Sequence, residues 1–191
     1  MLSDARLVSV LKAAADHHNW DTRHWDMRPS PTSAISRTGV VTGRGVSCVL
    51  YEGNNGYSAM VAEVQVEQST GVITVTRLIA SQDAGPISNP DGIRDQMEGG
   101  ALQGMSRALN EQVNWNSTNG ALTSVDWRSY PVFRWGDPLP VVKTVLLNQR
   151  SVPQMGVGEC TITIVAPAIA NAVFDATGAA SARFGSHRIT S

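Results

Sequence analysis

Charge is scarce in this chain. Only 16% of its 191 residues are Asp, Glu, Lys or Arg, against about a quarter in an ordinary globular domain. Fifteen basic and sixteen acidic residues leave a net charge of −1. That balance gives no electrostatic footprint for nucleic acid or an anionic lipid surface. Cysteine is scarcer still: Cys48 and Cys160 are far apart and form no C-x-x-C pair. This usage does not suggest a disulfide scaffold and holds no iron–sulphur ligand pattern, and both thiols are expected to be free and buried. No apolar run reaches the ~18 residues of a membrane span. No basic segment followed by an apolar stretch marks a signal peptide, so a cytoplasmic or periplasmic location is expected. Gly104-Met105-Ser106-Arg107-Ala108 lacks the last glycine of a nucleophile elbow. Gly43-Arg44-Gly45 and Gly156-Val157-Gly158 lack the third glycine of a dinucleotide fingerprint. His17, His18 and His24, the last between Trp20 and Trp25, have no regular metal-ligand spacing.

What is present is enough apolar sequence, 42%, for a real core. A surface this poor in charge suits one part of a larger assembly. Leu7, Val10, Leu11 and Ala14 recur at helical spacing and predict a helix from Ser3, as N-cap, to His17. Residues 19–45, with Arg28-Pro29-Ser30-Pro31-Thr32-Ser33, predict a linker. Val46–Tyr51, Tyr57–Glu67 and Val72–Ala80, separated by short turns, predict an antiparallel meander. A helix over Ile93–Gln112 follows, with Met97, Gly100, Ala101, Gly104 and Ala108 on one stripe. Leu122–Tyr130 and Val141–Asn148 look extended, and Pro167 and Gly178 bracket a last helix over Ala168–Thr177. The predicted class is α+β, a mainly antiparallel sheet with a few helices. Its organisation is a helix and linker (1–42), a domain (43–178) and a tail (179–191).

Two segments are unusual. Gly156-Val157-Gly158-Glu159 presents one carboxylate from a flexible glycine pair, a way to aim it into a cavity. The predicted helix after Asn89-Pro90 carries Gly99, Gly100 and Gly104, each costing ~1 kcal/mol relative to alanine. Something must approach that helix closely.

These segments, in this order, resemble the molybdenum-binding subunit of the xanthine dehydrogenase/aldehyde oxidase family, in its bacterial isoquinoline 1-oxidoreductase and nicotinate dehydrogenase forms. The resemblance is carried by Gly43-Arg44-Gly45-Val46, Ala80 to Gly85 with Asn89-Pro90, and Gln96-Met97-Glu98-Gly99-Gly100 with Gln103-Gly104. It continues through Asp126 to Pro131, Gly156 to Glu159, and Ala166 to Ala172. It implies a C-terminal molybdopterin-binding domain in which Glu159 is the general base. Gln96, together with Gly156, Val157 and Gly158, would contact the cofactor, and no protein ligand to the metal is implied. Implied too are oxidative hydroxylation of an aldehyde or N-heterocycle with water as oxygen source and a molybdenum–molybdopterin cofactor in its cytosine dinucleotide form. The implied partners are the remainder of the molybdenum subunit, a subunit carrying iron–sulphur clusters, and a small-molecule substrate. The family's earlier cofactor loops have no counterpart here, so no cofactor is expected on this chain alone. In the family, proline usually follows the glutamate; here Cys160-Thr161 stands instead, removing one fixed φ beside Glu159. Two other readings stay open: a non-catalytic binding or assembly module on the same fold, and a hydrolase pairing Glu159 with Asp126 or Asp137.

Overall fold

The strands follow one another as the alternation predicts. In the computed structural model, which describes residues 2–20, 39–53, 55–180, 184–185 and 188–189, β1 (Val40–Leu50), β2 (Tyr57–Glu67) and β3 (Ile73–Asp83) pair antiparallel in sequence order. β4 (Val141–Leu147) then joins the far edge of β3 in parallel, making the sheet mixed. A parallel neighbour needs a crossover, and α2 (Pro90–Leu109) with the segment after it supplies one. α1 (Ala5–His18) covers one face of the sheet, while α2 and α3 (Cys160–Thr177) cover the other.

β2 shows how the two faces are written in the sequence. Met60, Ala62, Val64 and Val66 enter the core under α2 and α3. The opposite parity is apolar at Ala59 and Val61, where α1 lies over it. It then turns polar at the half-buried Glu63 and the exposed Gln65. On β1, Gly43 and Gly45 let α3 lie directly on the strand: a Cβ at either would run into the carbonyl oxygen of Ala172 or Ala168.

Several boundaries differ from the sequence expectation. Asp4, rather than Ser3, caps α1, its carboxylate accepting from the amides of Arg6 and Leu7. β1 starts at Val40, inside the segment expected to be linker. α2 starts at Pro90 because Asn89 Oδ1 accepts from the Gly92 amide and proline suits the first turn. Leu122–Tyr130 is no strand. Only a bridge between Trp115 and Leu122 forms, because Asp126 Oδ1 satisfies the amides of Arg128 and Ser129 in a local turn.

The largest correction concerns α3. It begins at Cys160 and holds Pro167 in its interior. Thr161, Ile164, Val165, Ala168, Ile169, Ala172, Val173 and Ala176 form one unbroken buried face, so burial on the sheet outweighs the proline. Ser47 on β1 donates to the Ile164 carbonyl at 2.6 Å, tying the helix to the strand. The resulting helix of 18 residues is long and apolar enough to cross a membrane by length and composition, contrary to the sequence expectation. Half of it is buried against β1, β2 and α2, as a core helix would be. Cys160 is buried but Cys48 only half so, and both are free. Residues 21–38 of the expected linker, with His24, and most of the tail lie outside the described residues. Within the tail, β5 (Phe184–Gly185) pairs antiparallel with β6 (Arg188–Ile189).

Candidate cofactor-facing site

The packing of α2 on α3 builds the site. Gly100 and Gly104 sit on the shared side of α2: a Cβ at Gly100 would meet Thr161 Cβ at 3.4 Å, and one at Gly104 would come 2.5 Å from Val165 Cγ2. The sequence expectation of close approach is met at these two glycines by the neighbouring helix. Gly99 differs, having nothing within 4 Å of where a Cβ would stand.

Gln96, Gly99, Gln103 and Arg107 line one side of a cavity of about 400 Å³, and Gly158, Glu159 and Ile162 line the other. A Cβ at Gly158 would lie 3.9 Å from Gln96 Oε1. The structure therefore brings together three of the five predicted site residues, Gln96, Gly158 and Glu159. Gly156 and Val157 instead line a neighbouring cavity of about 250 Å³ beside Asn89 and Ile93 at the start of α2.

Glu159 occupies the N-cap position of α3, yet its side chain makes no capping hydrogen bond. Oε2 instead accepts from the Tyr51 hydroxyl at 2.9 Å. That bond is the main reason the Tyr51 phenol is pushed up to about 12, so it remains a donor at neutral pH. Beneath the loop, the Cys160 thiol is pushed up to about 11, chiefly by burial, and stays protonated. Sequence reasoning missed Tyr51 and Arg107. Arg107 lies on the same α2 face as Gln96, Gly100 and Gln103, at helical spacing that could have flagged it. Tyr51, at a strand end, carries no comparable signal.

Asp126 and Asp137 are not among the residues lining this cavity. The Ser129 hydroxyl and amide, with the Arg128 amide, hold the Asp126 carboxyl below the usual carboxylate range. Asp137 is engaged by the Arg134 amide. Neither pairs with Glu159 as a hydrolase would require. Among the described residues, no cluster of His, Cys, Asp and Glu could hold a metal ion.

Residues 20–137 match the family described as "Molybdopterin cofactor-binding domain". The chain belongs to that family. It is 37% identical over 183 residues to one of the subunits of nicotinate dehydrogenase of Pseudomonas putida, an alignment covering 93% of this chain and 15% of that protein. It is 30% identical over 173 residues to the beta subunit of isoquinoline 1-oxidoreductase of Brevundimonas diminuta, covering 91% of this chain and 20% of that one. Among solved structures, quinoline 2-oxidoreductase from Pseudomonas putida 86 superposes with a TM-score of 0.59 at 27% identity, over 64% of this chain and 16% of that one. The chain thus spans about a fifth or less of the length of these relatives.

The cavity suits a molybdopterin. Gly99 leaves the α2 face open, and Gln96 is exposed with both donor and acceptor capacity for a heterocycle edge. Buried behind Gly100, Thr161 Oγ1 has no hydrogen-bond partner among the described residues.

Proposed function

We propose that this chain is part of the catalytic subunit of a molybdenum hydroxylase that oxidatively hydroxylates an aldehyde or N-heterocycle with water as oxygen source. The observation carrying this reading is that Glu159 and Gln96, far apart in sequence, face the same cavity of a molybdopterin-binding domain. The relatives named for nicotinate, isoquinoline and quinoline lend weight to an N-heterocycle.

In this proposal Gln96 would hold the cofactor through its side-chain amide, with Gly158 adding no side chain to the opposite wall of the cavity. The bound cofactor, in its cytosine dinucleotide form, would supply the two-electron redox chemistry. Glu159 acts as general base. One carboxylate oxygen is held by Tyr51, and the other is left to accept a proton at the cavity. The rest of the molybdenum subunit would close the cavity, and an iron–sulphur subunit would carry the electrons away.

The test is activity normalised to molybdenum content in the assembled enzyme. Glu159→Gln is nearly isosteric and removes only the proton acceptor, so turnover per molybdenum should fall by 10²–10⁴-fold, roughly the span of general-base contributions. Gln96→Ala should instead lower molybdenum occupancy by about five- to tenfold, the loss of one net hydrogen bond, with turnover per bound molybdenum largely kept. A Glu159→Gln enzyme with near-native normalised turnover would send the proton elsewhere and favour the non-catalytic module.

A further inference from the structure

Glu159 follows Gly156-Val157-Gly158 and does not cap its own helix. Nothing local to its sequence orients the side chain. The turn between β1 and β2 reaches across to it at three points. The Tyr51 hydroxyl donates to Glu159 Oε2 at 2.9 Å. Asn55 Oδ1 accepts the Gly156 amide at 3.2 Å, and the Asn55 carbonyl accepts the Cys160 thiol at 3.1 Å. Both ends of the Gly156–Cys160 loop, and the carboxylate itself, are thus tied to one turn.

Described residues on both sides of that turn are bonded to one another. The Tyr51 amide donates to the Gly56 carbonyl at 2.9 Å, and the Asn55 amide to the Tyr51 carbonyl at 2.8 Å. Glu52 (φ 47), Gly53 (φ 77) and Gly56 (φ 117) all take left-handed backbone. A non-glycine residue held there is strained, which persists only where surrounding structure enforces it. A Cβ at Gly56 would come within 2.8 Å of both Cys160 Sγ and the Gly156 carbonyl, so the turn lies against the loop with no side chain between.

We propose that the β1–β2 turn is a positioning device for Glu159, in which Tyr51 holds one carboxylate oxygen and Asn55 holds the loop that carries it. Tyr51 is a positioning residue, and the inference rests on the reading of Glu159 as general base. A hydroxyl donating to a carboxylate is a charge-assisted bond. Held this way, the second oxygen faces the cavity in one orientation rather than many, the form of preorganisation that proton transfer needs.

The test labels the ζ-carbon of tyrosine with ¹³C and follows its resonance with pH in the protein. There are three tyrosines, Tyr51, Tyr57 and Tyr130, and Tyr51→Phe assigns the first. Tyr51 should titrate at about 12 and move towards ~10, the free phenol value, in Glu159→Ala; burial, and to a lesser degree Glu52 and Cys160, give upward pushes that remain. The Tyr51 resonance at neutral pH should also shift on removal of Glu159, a comparison needing no alkaline solution. In the molybdenum-loaded enzyme, Tyr51→Phe should lower turnover per molybdenum by up to about a hundredfold with KM little changed. A Tyr51 resonance indifferent to Glu159, or a Tyr51→Phe enzyme with native kcat, overturns the positioning device while leaving Glu159 as base. Native turnover in Glu159→Gln would instead remove the base, and with it the purpose of the device, while a Tyr51 resonance that responds to loss of Glu159 would leave the contact between the two side chains standing.

Discussion

Gly104 of α2 lies directly over Val165 of α3, so close that a methyl group at Gly104 would stand 2.5 Å from Val165 Cγ2 and 2.8 Å from its Cβ. Gly99, on the same helix, has open space at the equivalent point. The two glycines therefore answer the same substitution with opposite signs. Gly104→Ala forces the helices apart and should cost about 1–3 kcal/mol, the range for overpacking. Gly99→Ala should stabilise by about 0.5–1 kcal/mol, the helical preference of alanine. Urea unfolding of both variants checks this. Because the Gly99 methyl would project into the cavity, Gly99→Ala should also lower molybdenum occupancy in the assembled enzyme despite the firmer fold. Equal stability changes at the two positions would mean that α2 does not seat on α3 as described.

Arg6 on α1 forms a two-pronged pair with Asp83 at the end of β3, Nε to Oδ2 at 2.8 Å and Nη2 to Oδ1 at 2.7 Å. The Asp83 side chain is fully buried. The same carboxylate accepts the Gly85 amide, and the adjoining Ala84 carbonyl accepts the Met155 amide, at the start of the stretch leading to Glu159. Arg6→Ala leaves a buried charge without its partner, a loss typically of about 3–5 kcal/mol. The unfolding midpoint in urea should drop accordingly. A change below about 1 kcal/mol, typical of an exposed pair, would show that Asp83 is solvated when α1 lets go.

His18 is buried at the end of α1 with Nε2 2.6 Å from Glu63 Oε1. Burial pushes its pKa below 6.5, outweighing the upward pull of the Glu63 hydrogen bond and charge; Arg44 and Arg77 push it slightly further down. In the unfolded chain the ring titrates near ~6.5. As the pH falls through that value, the unfolded state takes up a proton that the folded state still refuses. Stability should therefore decline below pH ~6.5 until the lowered folded value is passed, and this contribution is unchanged above it. Unfolding free energies measured between about pH 8 and pH 5 should fall more steeply for the native protein than for His18→Gln. Parallel curves for the two would mean that the ring titrates alike in the folded and unfolded chain, and a native curve falling less steeply than that of His18→Gln would mean that Glu63 holds it protonated in the fold.

Elements whose signal is local are legible in the amino-acid order alone. Alternation along Tyr57–Glu67 writes the two faces of β2, because side chains on a strand change face at every residue. The cost of three glycines in one helix announces a close neighbour before any neighbour is known. The order of short motifs points to the molybdopterin-binding family, and with it to Glu159 and Gln96. Other features come into being only when the elements pack. Pro167 predicts a helix start wherever only its missing amide is weighed; it stands inside α3 because one unbroken apolar face is buried against the sheet. The division of the glycines into Gly104, taken up by Val165, and Gly99, left open to the cavity, depends on where α3 crosses α2. Tyr51 meets Glu159 across 108 positions of chain, and no periodicity spans such a distance. Local pattern fixes which face of an element is apolar, whereas the meeting of two polar side chains at a site is set by how those faces stack.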